Sequence, residues 1–102
     1  PYLAFSVMVA AGLHGIENQS EPPPPSESSV FEMSDAERIE RDIHALPGSL
    51  WEAVAIMEES GLVRDALGET VFQSFIENRK IEWERYRSHV TDYEIARYLP
   101  TL

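Results

Sequence analysis

Residues 2–13, running Tyr-Leu-Ala-Phe-Ser-Val-Met-Val-Ala-Ala-Gly-Leu, hold no charged side chain, and this run limits the fold more than any other feature. Ala4, Ala10 and Ala11 are strong helix formers, and the pattern predicts a helix from Tyr2 to about Asn18. It is apolar on nearly every side until His14. A helix without a polar face must be covered from several directions. The rest of a 102-residue chain covers one or two of them. The segment is therefore expected to belong to a larger body, which also fits a chain that opens on Pro1 and not on methionine. Gly12 and Gly15 allow another backbone to approach closely. The run is too short to span a bilayer and lacks the basic flank of a signal peptide, so residues 1–18 read as a buried helix.

Pro22 to Pro25 are four consecutive prolines that exclude helix and favour an extended polyproline conformation. Residues 19–29, including Ser26, Glu27, Ser28 and Ser29, read as a semi-rigid surface crossing. A Pro-rich signalling ligand would need flanking specificity residues, and none is seen. Residues 30–102 then read as a helical subdomain. Val30-Phe31-Glu32-Met33 is an apolar patch that anchors the chain after the crossing. Ser34 and Glu37 form a capping box that starts a helix to about Arg41, broken by His44-Ala45-Leu46-Pro47-Gly48. Ser49 and Glu52 form a second box. The helix it starts runs to about Ser60, with Leu50, Val54 and Met57 on one stripe, Trp51 beside it and Gly61 as terminator. Leu62–Leu67 is a short helix ended by Gly68. The longest helix runs from Glu69 to about Val90, with Phe72, Phe75, Ile76, Trp83, Tyr86 and Val90 on one face. Thr91 and Glu94 form a third box before a last helix whose apolar side is Ile95, Tyr98 and Leu99, ended by Pro100. No segment alternates with period two. The fold class is all-α, with about five to six helices and no internal repeat.

The formal net charge of −10 repels phosphate backbones and anionic lipid, which argues against nucleic acid or a membrane surface as partner. The chain has no cysteine, so disulfides and thiolate zinc sites are excluded. His14, His44 and His89 lie far apart. His14 with Glu17, or Glu40 with His44, could share a helix face, but two ligands do not make a metal site. The serines sit in the crossing or at helix caps, and no nucleophile elbow or glycine-rich phosphate loop is present. No catalytic, cofactor-binding or metal-ligating residue is expected within the chain. The aromatic end remains. Phe75, Trp83, Tyr86, Tyr93, Tyr98 and Leu99 interleave with Arg79, Lys80, Arg85, Arg87 and Arg97. A base-stacking platform is opposed by Glu77, Glu82, Glu84, Asp92 and Glu94. Tyrosine, tryptophan and arginine are the types enriched at protein–protein hot spots, so these six residues are the candidate interface.

Several runs together resemble one family. They are Pro1-Tyr2-Leu3-Ala4, Ala10-Ala11-Gly12-Leu13 with Gly15-Ile16, Val30-Phe31-Glu32-Met33-Ser34, and Leu46-Pro47-Gly48-Ser49-Leu50 with Glu52-Ala53. Ala66-Leu67-Gly68, Phe75-Ile76-Glu77, Glu82-Trp83 with Tyr86-Arg87, Val90-Thr91-Asp92, Glu94 and Tyr98-Leu99 follow in the same order. In order and spacing the chain resembles the C-terminal segment of the catalytic domain of type I glutamine synthetases. The resemblance implies a helical segment of a larger α+β domain. It implies a cytoplasmic parent enzyme that ligates ammonia to glutamate with ATP and Mg2+ or Mn2+ through γ-glutamyl phosphate. The metal and phosphate ligands would lie upstream of Pro1, leaving the segment alone inactive. The resemblance further implies a homododecamer of two stacked hexameric rings, with the C-terminal helices at subunit contacts. The tyrosine adenylylated in one branch of the family corresponds to Phe31, which has no hydroxyl. His14 stands where an aspartate is usual, which leaves a γ-glutamyl-polyamine or γ-glutamyl-amine ligase as an alternative. From the residues alone, a free-standing acidic helical interaction module is the other.

Overall fold

The computed structural model describes residues 1–101, and they are helical without a strand, as the apolar periodicity requires. Helix α1 spans Tyr2–Glu17. After the crossing come a 3-10 turn at Val30–Glu32, α2 (Asp35–Glu40), α3 (Leu50–Glu59), α4 (Gly61–Leu67), α5 (Glu69–Arg87), α6 (Asp92–Tyr98) and a closing 3-10 turn at Leu99–Thr101.

The core is built on α5. Phe72 and Ile76, one turn apart, meet Val54 of α3, and Leu50, Met57, Val63 and Leu67 pack around the three. Phe72 is completely enclosed, and full burial of such a side chain contributes roughly 1.5–3 kcal/mol. The stripe read on α3 therefore faces the core as expected. Helix α1 packs along α4, while α6 packs closely only with the 3-10 turn that follows it. No residue of α1 is buried within this chain. Nothing comes within 4 Å of where a Cβ would stand on Gly12 or Gly15, so residues 1–101 do not make the close approach those glycines permit. The Cα radius of gyration is 18.9 Å, whereas a compact 100-residue domain has about 13 Å. The helices form a corner, not a ball.

Several helix ends differ from the sequence reading. Gly61 does not terminate α3. Ser60 closes α3 in an extended conformation and caps α4 through its hydroxyl, which accepts from the Val63 N–H. The second capping box is incomplete: the Ser49 hydroxyl accepts from the Glu52 N–H, but the Glu52 carboxylate accepts from Gly48, one residue before the cap. Helix α2 stops before His44. Asp42 takes a left-handed φ of 55°, its N–H donates to the Ile39 carbonyl and the Ile43 N–H to Arg38. Gln19, at φ 51°, ends α1 the same way, with its N–H on Ile16 and the Ser20 N–H on Gly15. Both are Schellman-type stops made without glycine. The Val30–Met33 patch anchors through Met33, which is buried, while Phe31 is 97% exposed. Helix α5 ends at Arg87, not Val90, because the Ser88 hydroxyl turns back onto the Glu84 and Arg85 carbonyls.

Gly68 sits between α4 and α5 at φ 75°, ψ 151°, a region open essentially to glycine alone. Its N–H closes α4 on the Arg64 carbonyl and its own carbonyl accepts from Phe72 to open α5. Gly68→Ala is expected to lower stability by roughly 1–3 kcal/mol through backbone strain. Gly61→Ala, inside α4 with open space around it, is expected to be neutral or stabilising by up to about 1 kcal/mol. Urea unfolding of both variants checks the pair.

The other two capping boxes are complete. The Ser34 backbone N–H donates to Glu37 and its hydroxyl does the same; these bonds, with the Arg41 charge, hold the Glu37 carboxyl below its ordinary 4.5. Thr91 does the same for Glu94, assisted by His89. A carboxyl depressed by folding gives stability that is complete above the ordinary value and is lost as pH falls through the lower folded value. Helices α2 and α6 are thus expected to fray first as pH drops below 4.5. Cα chemical shifts followed through acid titration, compared with Glu37→Gln and Glu94→Gln, measure this.

Candidate interaction surface

The six candidate interface residues do not form one patch. Helix α5 divides them. Phe75, half-buried, turns toward α1 with the Arg79 guanidinium 5.3 Å from its ring centre. It helps line an apolar cleft of about 740 Å³ between the start of α1 and the edges of α3 and α4, with Tyr2, Val7, Ile56, Val63 and Leu67 on its walls. Two turns further on, Trp83 and Tyr86 stand 6.1 Å apart with rings tilted by 36°. They face Gly48, Ser49 and Leu50 across a second cleft. Trp83 is half-buried and Tyr86 exposed. Tyr93, Tyr98 and Leu99 belong to α6 and its closing turn, and all three are exposed; among the described residues α6 packs closely only with that turn. The structure thus gives three apolar surfaces: the α1 cleft, the Trp83–Tyr86 face and the α6 end.

The α1 cleft was missed by the sequence reading, which counted Phe75 as part of one aromatic stripe. Its signal was present in the uncharged run of residues 2–13. Ala53, Ile56 and Met57 of α3 and the Ser60 cap line it, so the cleft borders the Leu50–Val54–Met57 stripe.

Charged side chains brace the core from outside. The Arg64 guanidinium lies 4.5 Å over the Phe72 ring, donates to the Glu69 carboxylate at 2.9 and 3.1 Å, and reaches the Glu58 carbonyl at 3.4 Å. Lys80 on α5 pairs with Glu58 on α3. The Gln73 amide, and then Arg64, hold the Glu69 carboxyl below its ordinary value. Arg87 is held above its own by the bond to Glu84. These pairs explain why the basic residues of α5 do not make a positive stripe. Arg79 is taken by Glu82 and Arg87 by Glu84.

The histidines stay apart. His44 pairs with Asp42 at 2.9 Å and not with Glu40, because α2 has already ended. Among the described residues no three His, Asp or Glu side chains come together as metal ligands. Ser34, Ser49, Ser60 and Thr91 are occupied as caps. No helix among the described residues is long and apolar enough to cross a membrane.

Residues 1–98 match the family described as glutamine synthetase, catalytic domain. The chain belongs to the glutamine synthetase family. The glutamine synthetase of Mycolicibacterium smegmatis is 48% identical over 99 residues, covering 97% of this chain and 22% of that protein. That of Thermotoga maritima is 44% identical over 98 residues, 96% of this chain and 22% of the relative. That of Methanosarcina mazei is 44% identical over 102 residues, all of this chain and 23% of the relative. The chain thus spans under a quarter of the length of the glutamine synthetases it matches.

For this glutamine synthetase family member, the exposed face of α1 predicts behaviour in isolation. The 102-residue chain alone is expected to bind an apolar dye and to self-associate. Phe5→Glu, on the exposed side of α1, should weaken both. Dye fluorescence and sedimentation velocity decide it; a monomer with no dye-accessible surface would contradict the reading.

Proposed function

We propose that this chain is the C-terminal segment of a type I glutamine synthetase, and that it serves folding and assembly while catalysis proceeds on residues upstream of Pro1. In that reading the whole protein joins ammonia to glutamate, using ATP and Mg2+ or Mn2+ through γ-glutamyl phosphate, in the cytoplasm. The observation that carries it is the family match over residues 1–98 combined with a span of 22–23% of the relatives' length.

The division of labour follows the chain. Residues 1–18 are a helix covered by the body of the catalytic domain, which the apolar exposed face of α1 supports. Residues 19–29 are the surface crossing, and residues 30–102 the helical C-terminal subdomain. Phe75, Trp83, Tyr86, Tyr93, Tyr98 and Leu99 contribute to contacts within a homo-oligomer of stacked hexameric rings. The exposure of Tyr98 and Leu99 supports the α6 part of that reading. Phe31, exposed after the crossing and lacking a hydroxyl, supports an enzyme that is not adenylylated there.

The test is ATP-dependent phosphate release by the whole protein with glutamate plus ammonium, and separately with glutamate plus putrescine. Release with ammonium is expected. Release with putrescine only would make it an amine ligase and give His14 a role in acceptor choice, and release with neither would overturn the ligase reading. Tyr98→Ala with Leu99→Asp is expected to shift the whole protein toward smaller assemblies by light scattering.

A further inference from the structure

The crossing is tied to the helices by one long-range side-chain bond. Arg41, just past the end of α2, donates from Nη1 to the Ser28 hydroxyl at 3.1 Å, thirteen residues away. Both side chains are exposed. Among the described residues Arg41 forms no ion pair. Arg41 acts on Glu37 only through its charge, and three nearby carboxylates are bonded to other groups. Glu37 is held by the Ser34 cap, Asp42 by His44, and Asp35 by Arg38. Arg38 lies one turn earlier, and its Nε is buried without a partner. In a chain of net charge −10, Arg41 has one donor on a neutral hydroxyl and no carboxylate within ion-pair distance, which leaves its guanidinium able to bond an anion. Ser28 itself lies at a bend three residues past the last of the four prolines, with Glu27 before it and Ser26 donating to its carbonyl at 3.0 Å.

We propose that Ser28 is a phosphorylation site and that Arg41 receives the phosphate. A nucleoside-triphosphate-dependent protein kinase would supply the group. The Ser28 Oγ attacks the γ-phosphorus and forms the Oγ–P bond. The bond from that phosphorus to the bridging oxygen breaks, the nucleoside diphosphate leaves, and the hydroxyl proton passes to a base of the kinase. The product places nearly two negative charges and three acceptor oxygens beside a guanidinium already in position, and charge-assisted bonds replace the neutral one. The crossing would then be clamped to α2. This inference does not depend on the reaction proposed for the whole protein.

Two measurements on the whole protein test it. Mass spectrometry of the protein isolated from its native host should find phosphate on Ser28; phosphate on Ser26 or Ser29 instead, or on none, would overturn the assignment. The receiver is tested by a protein carrying phosphoserine at position 28, titrated by phosphorus NMR. A phosphoserine ordinarily loses its second proton near pH 6. The midpoint should lie roughly half a unit lower with Arg41 than in Arg41→Ala, as expected for an exposed ion pair. Equal midpoints would remove Arg41 from the proposal.

Discussion

Among the described residues Phe72 is the one large side chain enclosed completely, and the arrangement of α3, α4 and α5 follows from how it is enclosed. Val54 closes it from α3, Val63 and Leu67 from α4, and Ile76 from one turn along its own helix. The Arg64 guanidinium covers the ring and anchors to Glu69 and the Glu58 carbonyl. A cation over an aromatic face works best when its own donors are satisfied and the assembly is partly desolvated. Here that condition is met by residues from α3, α4 and α5 together, so one contact fixes three helices. Lys80 with Glu58 repeats the bracing on the other side of α3.

Beyond that core the chain is open. The surface of α1 turned away from α4 is apolar, and α6 exposes Tyr93, Ile95 and Tyr98 among its charged residues. The α1 surface is not what a solvated helix of an acidic protein carries. All 18 acidic side chains lie at Glu17 or beyond it. The charge keeps water on that part of the chain, and the apolar faces are left for protein to cover. A family member that spans 22–23% of its relatives' length and shows this division has the anatomy of one part of a larger packed body.

The elements were legible in the sequence because they are specified locally. Capping residues Ser34, Ser49 and Thr91 announce their helices, and the period of Leu50, Val54, Phe72 and Ile76 announces the core. The stops were less legible. Helices α1 and α2 do end where the sequence places them, at about Asn18 and Arg41, but the left-handed Gln19 and Asp42 that close them are not advertised by residue type, since glycine is the usual signal. Gly61 carries that signal and is helical. The interface residues were read as one stripe because spacing along α5 was taken alone. Their separation into three surfaces depends on where α1 and α6 lie, and that is set by tertiary contacts, not by periodicity. The α1 cleft has the same cause: its walls come from residues far apart in sequence.

Ser60 ends α3 and starts α4 with no residue between them, and Gly68 does the same for α4 and α5. From Ser49 to Arg87 there is consequently no slack. An α-helix turns by about 100° per residue, so one residue inserted into α4 would carry Leu67 or Val63 off the Phe72 ring, and Arg64 with them. The crossing at residues 19–29 and the link at residues 88–91 hold no such register. Over evolutionary time, changes in length should accumulate at those two links, while the stretch between Ser49 and Arg87 varies by substitution alone.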